Sequence, residues 1–335
     1  TTPTTTKKNI FPIPSSVKLL LVRFLTFQTS ETMTLAIEIE KKHIKKSERV
    51  KSLEIHPTEP WVLVSLYTGT VQIWNYQSQT VEKNYQVSES PVRSAKFIAR
   101  EKSIVVGSDD HFIRVYNYTT EEKTKEFKAH DDYIRSLAVH PSLPYVLSCS
   151  DDTMIKLWDW EKDWACTQIF KGHNHYVMQV AFNPKDQNQT FTSVSLDCTM
   201  KMWNLSSSDP ILELEAHSKG INCVDFLTCN DKQYLITGSD DHTAKVWDLQ
   251  NQTCVQILEG HKNNISALAL HPELPAFFTG SEDGTFSVWD ATNYSLLNTQ
   301  ISELGRIWAI GFASLEDSHI LIIGCDEGMI IGKIV

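Results

Sequence analysis

The stretch Cys149–Asp159 reads CSDDTMIKLWD, with Asp152 six residues before Trp158 and Asp151 directly ahead of it. Similar endings recur along the chain: QIWN at Trp74, RVYN at Tyr116, KMWN at Trp203, KVWD at Trp247 and SVWD at Trp289. Successive aromatic positions, counting Trp158, are 42, 42, 45, 44 and 42 residues apart. Three further markers keep this period: histidines at His130, His173, His217 and His261; turns HPTEP, HPSLP, NPKD and HPELP; and short β-rich runs such as YVLSCS. Internal repetition at this period signals stacked supersecondary units.

The GH…WD pattern resembles the WD40 repeat, which implies a seven-bladed, all-β propeller with four strands per blade. Seven units can be counted, the last ending in HILIIGCDEGMIIGKIV with one strand missing. The alternating segment TLAIEIE, 34–40, reads as that strand, so 34–41 is expected to close the ring beside 329–335 and protect sheet edges. Met33 reads as a natural start. The expected division is a disordered or artefactual leader over 1–33 and the propeller over 34–335.

Bulk properties narrow the function. The 335 residues carry a formal charge of −10, which argues against nucleic acid as a partner. No apolar run reaches the ~18–20 residues of a membrane span. Seven cysteines without a C-x-x-C pair point to a reducing compartment, with neither metal site nor disulfide framework. No phosphate loop or nucleophile elbow appears, and no cofactor is expected.

In a WD40 blade the turn aspartate six residues before the Trp accepts from the blade's His. This assigns Asp152, Asp197, Asp241 and Asp283 to His130, His173, His217 and His261, with Trp158, Trp203, Trp247 and Trp289 completing the sets and Ser148 or Ser150 serving blade 3. A His–Ser–Asp set imitates a hydrolase triad, but repetition in blade after blade marks architecture, not an active site, so no enzyme is expected.

The residue before the turn aspartate reads Tyr67, Asp109, Asp151, Leu196, Asp240, Glu282 and Asp326 over the seven blades. A position opening each first strand reads Lys51, Arg93, Arg135, Met178, Asn222, Ser266 and Trp308. Three consecutive cations, joined by Arg49, should therefore cluster at one side of the channel mouth. They either pair with nearby carboxylates or serve an anion. Asp132 and Asp151 should approach each other at the same face, with Asp240 farther round. A basic centre with an acidic flank fits a peptide C-terminus preceded by lysines. Tyr67, Tyr133 and Tyr176 could cover the peptide's apolar stem, at least one of them being expected to pack internally instead.

RVKSLEIHPTEPWVLVSLYTGTVQIWN, PVRSAKFIAR, HDDYIRSLAVHP, DDTMIKLWDWEKDWACTQIFKGHNHYVMQVAFNPKD and CVQILEGH closely resemble the first propeller of the coatomer beta-prime family. That resemblance implies a COPI coat component on the cytosolic face of Golgi membranes and vesicles, attached indirectly through other coatomer subunits. It implies recognition of C-terminal dilysine retrieval signals on membrane cargo. Arg49, Lys51, Arg93 and Tyr67 would hold the peptide carboxylate. Asp132, Asp151 and Asp240 would hold the lysines, with Arg135 and Tyr176 supporting. The leader is unlike the family, as is Cys198, which stands where basic residues are usual and reads as part of a solvated strand. The competing reading is a generic WD40 scaffold or ubiquitin-ligase substrate adaptor that takes another peptide on the same face.

Overall fold

The computed structural model describes residues 39–185, 190–229, 232–315 and 318–334. They form seven four-stranded antiparallel sheets. Blade 1 is β2 (Val50–Ile55), β3 (Trp61–Leu66), β4 (Thr70–Asn75) and β5 (Thr80–Gln86); blade 2 runs from β6 (Val92–Ile98) to β9 (Lys123–Lys128). Blade 3 holds β10 (Ile134–Val139), β11 (Tyr145–Ser150), β12 (Ile155–Asp159) and β13 (Ala165–Phe170). Blades 4, 5 and 6 open with β14 (Val177–Phe182), β18 (Ile221–Cys229) and β22 (Ile265–Leu270). The first strands touch in sequence around the ring, and β26 (Ile307–Leu315) of blade 7 returns to β2. This is the expected seven-bladed propeller.

Ring closure occurs as expected, but farther along the chain. The outer strand of blade 7 is β1 (Ile39–Lys46), antiparallel to β28 (Gly328–Ile334), with Ile39 opposite Ile334 and Lys46 opposite Gly328. Only three residues separate β1 from β2, so the segment directly ahead of blade 1 fills the slot. Residues 34–38 and the expected leader lie outside the described residues.

The core lies between neighbouring blades. Leu147, Phe170, Phe191 and Trp203 pack across the blade 3–4 seam, and Val50, Leu66, Ile322 and Met329 across the 7–1 seam. Alternation along each strand gives every blade two apolar faces, one for each neighbour.

The histidine sets are proton-ordered chains. Trp158 Nε1 donates to Ser148 Oγ (2.8 Å), Ser148 meets His130 Nε2 (2.7 Å), and His130 Nδ1 meets Asp152 (2.8 Å). Indole N–H can only donate, so Ser148 donates onward to a neutral His130 whose Nδ1–H serves Asp152. Ser150 instead accepts from the Asp152 N–H. The chain repeats through His173 and Asp197, His217 and Asp241, and His261 and Asp283 (2.9, 2.9 and 3.4 Å). Trp203, Trp247 and Trp289 donate to Ser193, Thr237 and Thr279. In blade 2, Arg114 replaces the histidine as partner of Asp110.

The residue after each turn position, an acid in six blades and Thr68 in blade 1, has positive φ: Gly69, His111, Thr153, Cys198, His242, Gly284 and Gly328. Cys198 thus sits half-buried in the turn before β16 (Thr199–Asn204), not on a solvated strand. Thr153, β-branched with φ of 68°, is the most strained of the column. Thr153→Gly is expected to raise stability by about 0.5–1 kcal/mol in chemical denaturation, the relieved strain exceeding glycine's extra entropy. A loss of stability would show that its side chain contributes more than the backbone strain costs.

Candidate functional site

A cavity of about 950 Å3 follows the axis and is lined by the seven first strands. Each first strand carries a β-bulge after its first paired residue, and the skipped residues are Lys51, Arg93, Arg135, Met178, Asn222, Ser266 and Trp308. A bulge bends the strand and re-aims its extra side chain. All seven line the cavity.

The bulged residue and the residue before the turn acid meet within one blade. Arg93 makes a bidentate pair with Asp109 (2.6 and 2.7 Å), and Arg135 does so with Asp151 (2.5 Å twice). Asn222 donates to Asp240 (2.7 Å), and Trp308 Nε1 to Asp326 (2.8 Å). Met178 and Leu196 occupy the two positions in blade 4, and in blade 6 Ser266 turns to the Ile307 carbonyl. Glu282 is left to Asn264 (3.2 Å) and Arg306 (3.4 Å). In blade 1 the acid is replaced by Tyr67, so Lys51 has no carboxylate opposite it.

Lys51 therefore differs from its neighbours. Among the described residues its Nζ makes no ion pair or hydrogen bond; it lies 3.3 Å from the centroid of the Trp308 ring. Burial, and then the nearby charges of Arg93, Arg49 and Arg135, lower its pKa to about 7, against a weak opposing pull from Glu282. Arg49 stacks on Tyr67 at 4.9 Å. Its Nε lies 2.7 Å from Asp326 Oδ1 but off the line of a hydrogen bond, so this buried N–H stays unsatisfied. Asp326 is already engaged by Arg306 Nε (2.9 Å) and Trp308. Arg93 and Arg135 spend Nε and Nη2 on their acids, and Nη1 of each has no partner among the described residues. The mouth thus collects unspent donors from Arg49, Lys51, Arg93 and Arg135.

The structure brings Arg49, Lys51, Tyr67, Arg93, Arg135 and Asp240 to one cavity. Asp132, Asp151 and Tyr176 stand outside its lining. Asp151 is buried behind Arg135. Asp132 is half-buried and accepts from the Tyr133 N–H, while the Asp151 N–H donates to the Tyr133 carbonyl. Their backbones are neighbours, but the two carboxylates turn to different partners, Asp132 to the Tyr133 N–H and Asp151 to Arg135. Tyr67, Tyr133 and Tyr176 are all exposed at the rim, at 41, 42 and 37%, so none is an internal packing residue. Tyr133 stacks beside Arg93 and Tyr176 beside Arg135. Trp308 and Asp326 were visible in the two sequence columns; reading those columns row by row would have paired them.

Removal of Asp151 would spare the fold if that residue faced only solvent; here it would leave a largely buried guanidinium unpaired. Asp151→Ala is expected to cost about 2–3 kcal/mol, and Arg135→Met with Asp151→Ala to lie close to the parent protein, since the desolvation cost vanishes with both charges. Additive losses in the double variant, by urea denaturation, would show that the pair is not the origin of the effect.

These features place the molecule among repeat propellers. A profile of the WD domain, G-beta repeat, matches residues 38–75, 121–159, 164–204, 208–248 and 252–290, and the chain belongs to the WD40 family. Within that family it is similar to coatomer subunit beta'-2 of Oryza sativa subsp. japonica (68% identical), coatomer subunit beta'-1 of Arabidopsis thaliana (63%) and coatomer subunit beta' of Mus musculus (60%), each over 302 residues. Each alignment covers 90% of this chain and 32–33% of the relative, so the chain spans about a third of the relatives' length. No helix among the described residues is long and apolar enough to cross a membrane.

Proposed function

We propose that this propeller is the cargo-reading part of a COPI coat subunit on the cytosolic face of Golgi membranes, and that it binds C-terminal dilysine signals without catalysing a reaction. The observation that carries this reading is the cluster of unspent donors on Arg49, Lys51, Arg93 and Arg135, set beside carboxylates at Asp132 and Asp240 that no cation neutralises within ion-pair distance among the described residues. The mouth can accept a carboxylate, and its flank an ammonium a few residues away. Asp151 acts through Arg135, holding the guanidinium at the mouth. Other coatomer subunits are the expected protein partners, and membrane attachment is indirect.

Charge-assisted bonds contribute on the order of 1.5–3 kcal/mol each where water is partly excluded and less at an open rim. After ordering costs, a roughly micromolar affinity follows. The test is a titration of the chain with a labelled peptide ending in two lysines and two further residues, against the same peptide amidated at its C-terminus. Binding lost on amidation and on Lys→Ala supports the reading. Equal binding by all three, or none, refutes it and leaves a WD40 scaffold for some other peptide.

A further inference from the structure

We propose that Lys51 is a site of covalent acylation by acyl phosphates, small anionic donors that the surrounding guanidinium groups gather at the channel mouth. Three observations converge on this amine. It has no carboxylate opposite it, because Tyr67 takes the place that Asp109 and Asp151 occupy in the next two blades. It lies in the cavity wall with Arg49, Arg93 and Arg135, so burial first and then these neighbouring charges disfavour the ammonium form. Arg49, Arg93 and Arg135 retain donor edges that no group among the described residues uses, and these suit a phosphate.

The reaction needs no further reagent. The Nζ lone pair attacks the acyl carbon, the C–N bond forms, and the C–O bond to phosphate breaks. Phosphate leaves with the bonding electron pair, and the proton released from nitrogen goes to solvent. The product is a neutral amide that keeps one N–H and loses the charge. Its formation does not depend on peptide recognition; that it would block capture of a carboxylate rests on the function proposed above.

At pH 7.5 an ordinary lysine is free amine in about one molecule per thousand, whereas an amine titrating at about 7 is mostly free. Lower basicity gives back part of that gain through weaker nucleophilicity, leaving an advantage of about tenfold or more. The experiment treats the whole chain with acetyl phosphate at pH 7.5 and, separately, with neutral acetic anhydride, and follows site-resolved acetylation by mass spectrometry. The exposed Lys171 and Lys262 are internal references. The expected result is Lys51 acetylated at least about tenfold faster than either reference by acetyl phosphate, with a smaller preference for the anhydride. Raising the salt should narrow the gap between reagents. Labelling of Lys51 no faster than the references would overturn the proposal. An equal preference with both reagents would overturn it too, because anion gathering would then play no part.

Discussion

Lys51→Met is expected to weaken binding of a C-terminal dilysine peptide by about ten- to a hundredfold and to leave the propeller as stable as before or slightly more so. The two halves of this result have one cause. Among the described residues Lys51 has no ion pair or hydrogen bond, and burial and the charges of Arg93, Arg49 and Arg135 make its own charge a cost to the fold. A bound carboxylate would turn that cost into a charge-assisted bond, worth on the order of 1.5–3 kcal/mol. The same linkage fixes the pH dependence. An anion beside Nζ raises the amine's pKa, so binding takes up a proton when the free amine titrates at about 7. Affinity should be full below about pH 6.5 and fall as pH rises towards 8.5, in isothermal titration repeated in buffers of different ionisation enthalpy. In Lys51→Met the slope over this window should disappear. Retention of parental affinity by that variant would remove Lys51 from the site.

Asp152→Ala is expected to cost about 2–4 kcal/mol of stability, the larger effect of the two adjacent aspartates. Asp152 accepts from His130 Nδ1, from the Asp131 N–H (3.2 Å) and from the Met154 N–H (3.0 Å). Without it a fully buried imidazole N–H is orphaned, at about 1–3 kcal/mol for such a group, and the turn loses its anchor. Burial works against ionisation of Asp152, but the His130 contact and the backbone donors outweigh it and hold the carboxyl below its usual range. Burial likewise holds His130 below its usual range against the pull of Asp152. Both shifts make acid destabilising. As pH falls through about 6.5 the unfolded imidazole takes a proton that the folded one refuses; below about 4 the unfolded carboxylate does the same. The parent should therefore lose stability in both windows. Asp152→Ala should lose less below pH 4, because its carboxylate contribution is already gone. Melts at pH 7.5, 5.5 and 3.5 would show this, and an Asp152→Ala protein as stable as the parent would contradict the structural role.

The repeat was legible because it depends on local chemistry that recurs: a turn acid, a His, a Trp and an alternating strand pattern at fixed spacing. The two columns of mouth residues were legible for the same reason. Their pairing depends on how far each bulge turns its side chain, which no local pattern encodes, although Arg93 with Asp109 and Arg135 with Asp151 stand in matching rows. The closing strand was misplaced because 34–40 has the cleaner alternation, whereas the observed β1, IEKKHIKK, is strand only by virtue of β28 beside it.

Sequence by itself determined the architecture of this protein, seven antiparallel blades with buried His–Asp chains in four of them, since blades 1 to 6 are each specified by contacts within some forty residues. Tertiary structure alone decided which charges remain available. A single-residue bulge in each first strand turns its side chain to the channel, and the opposing strand end then supplies or withholds a carboxylate across the same blade. Arg93 and Arg135 are thereby half spent and Lys51 is left alone, a distinction set by through-space pairing at the mouth and absent from any one stretch of chain.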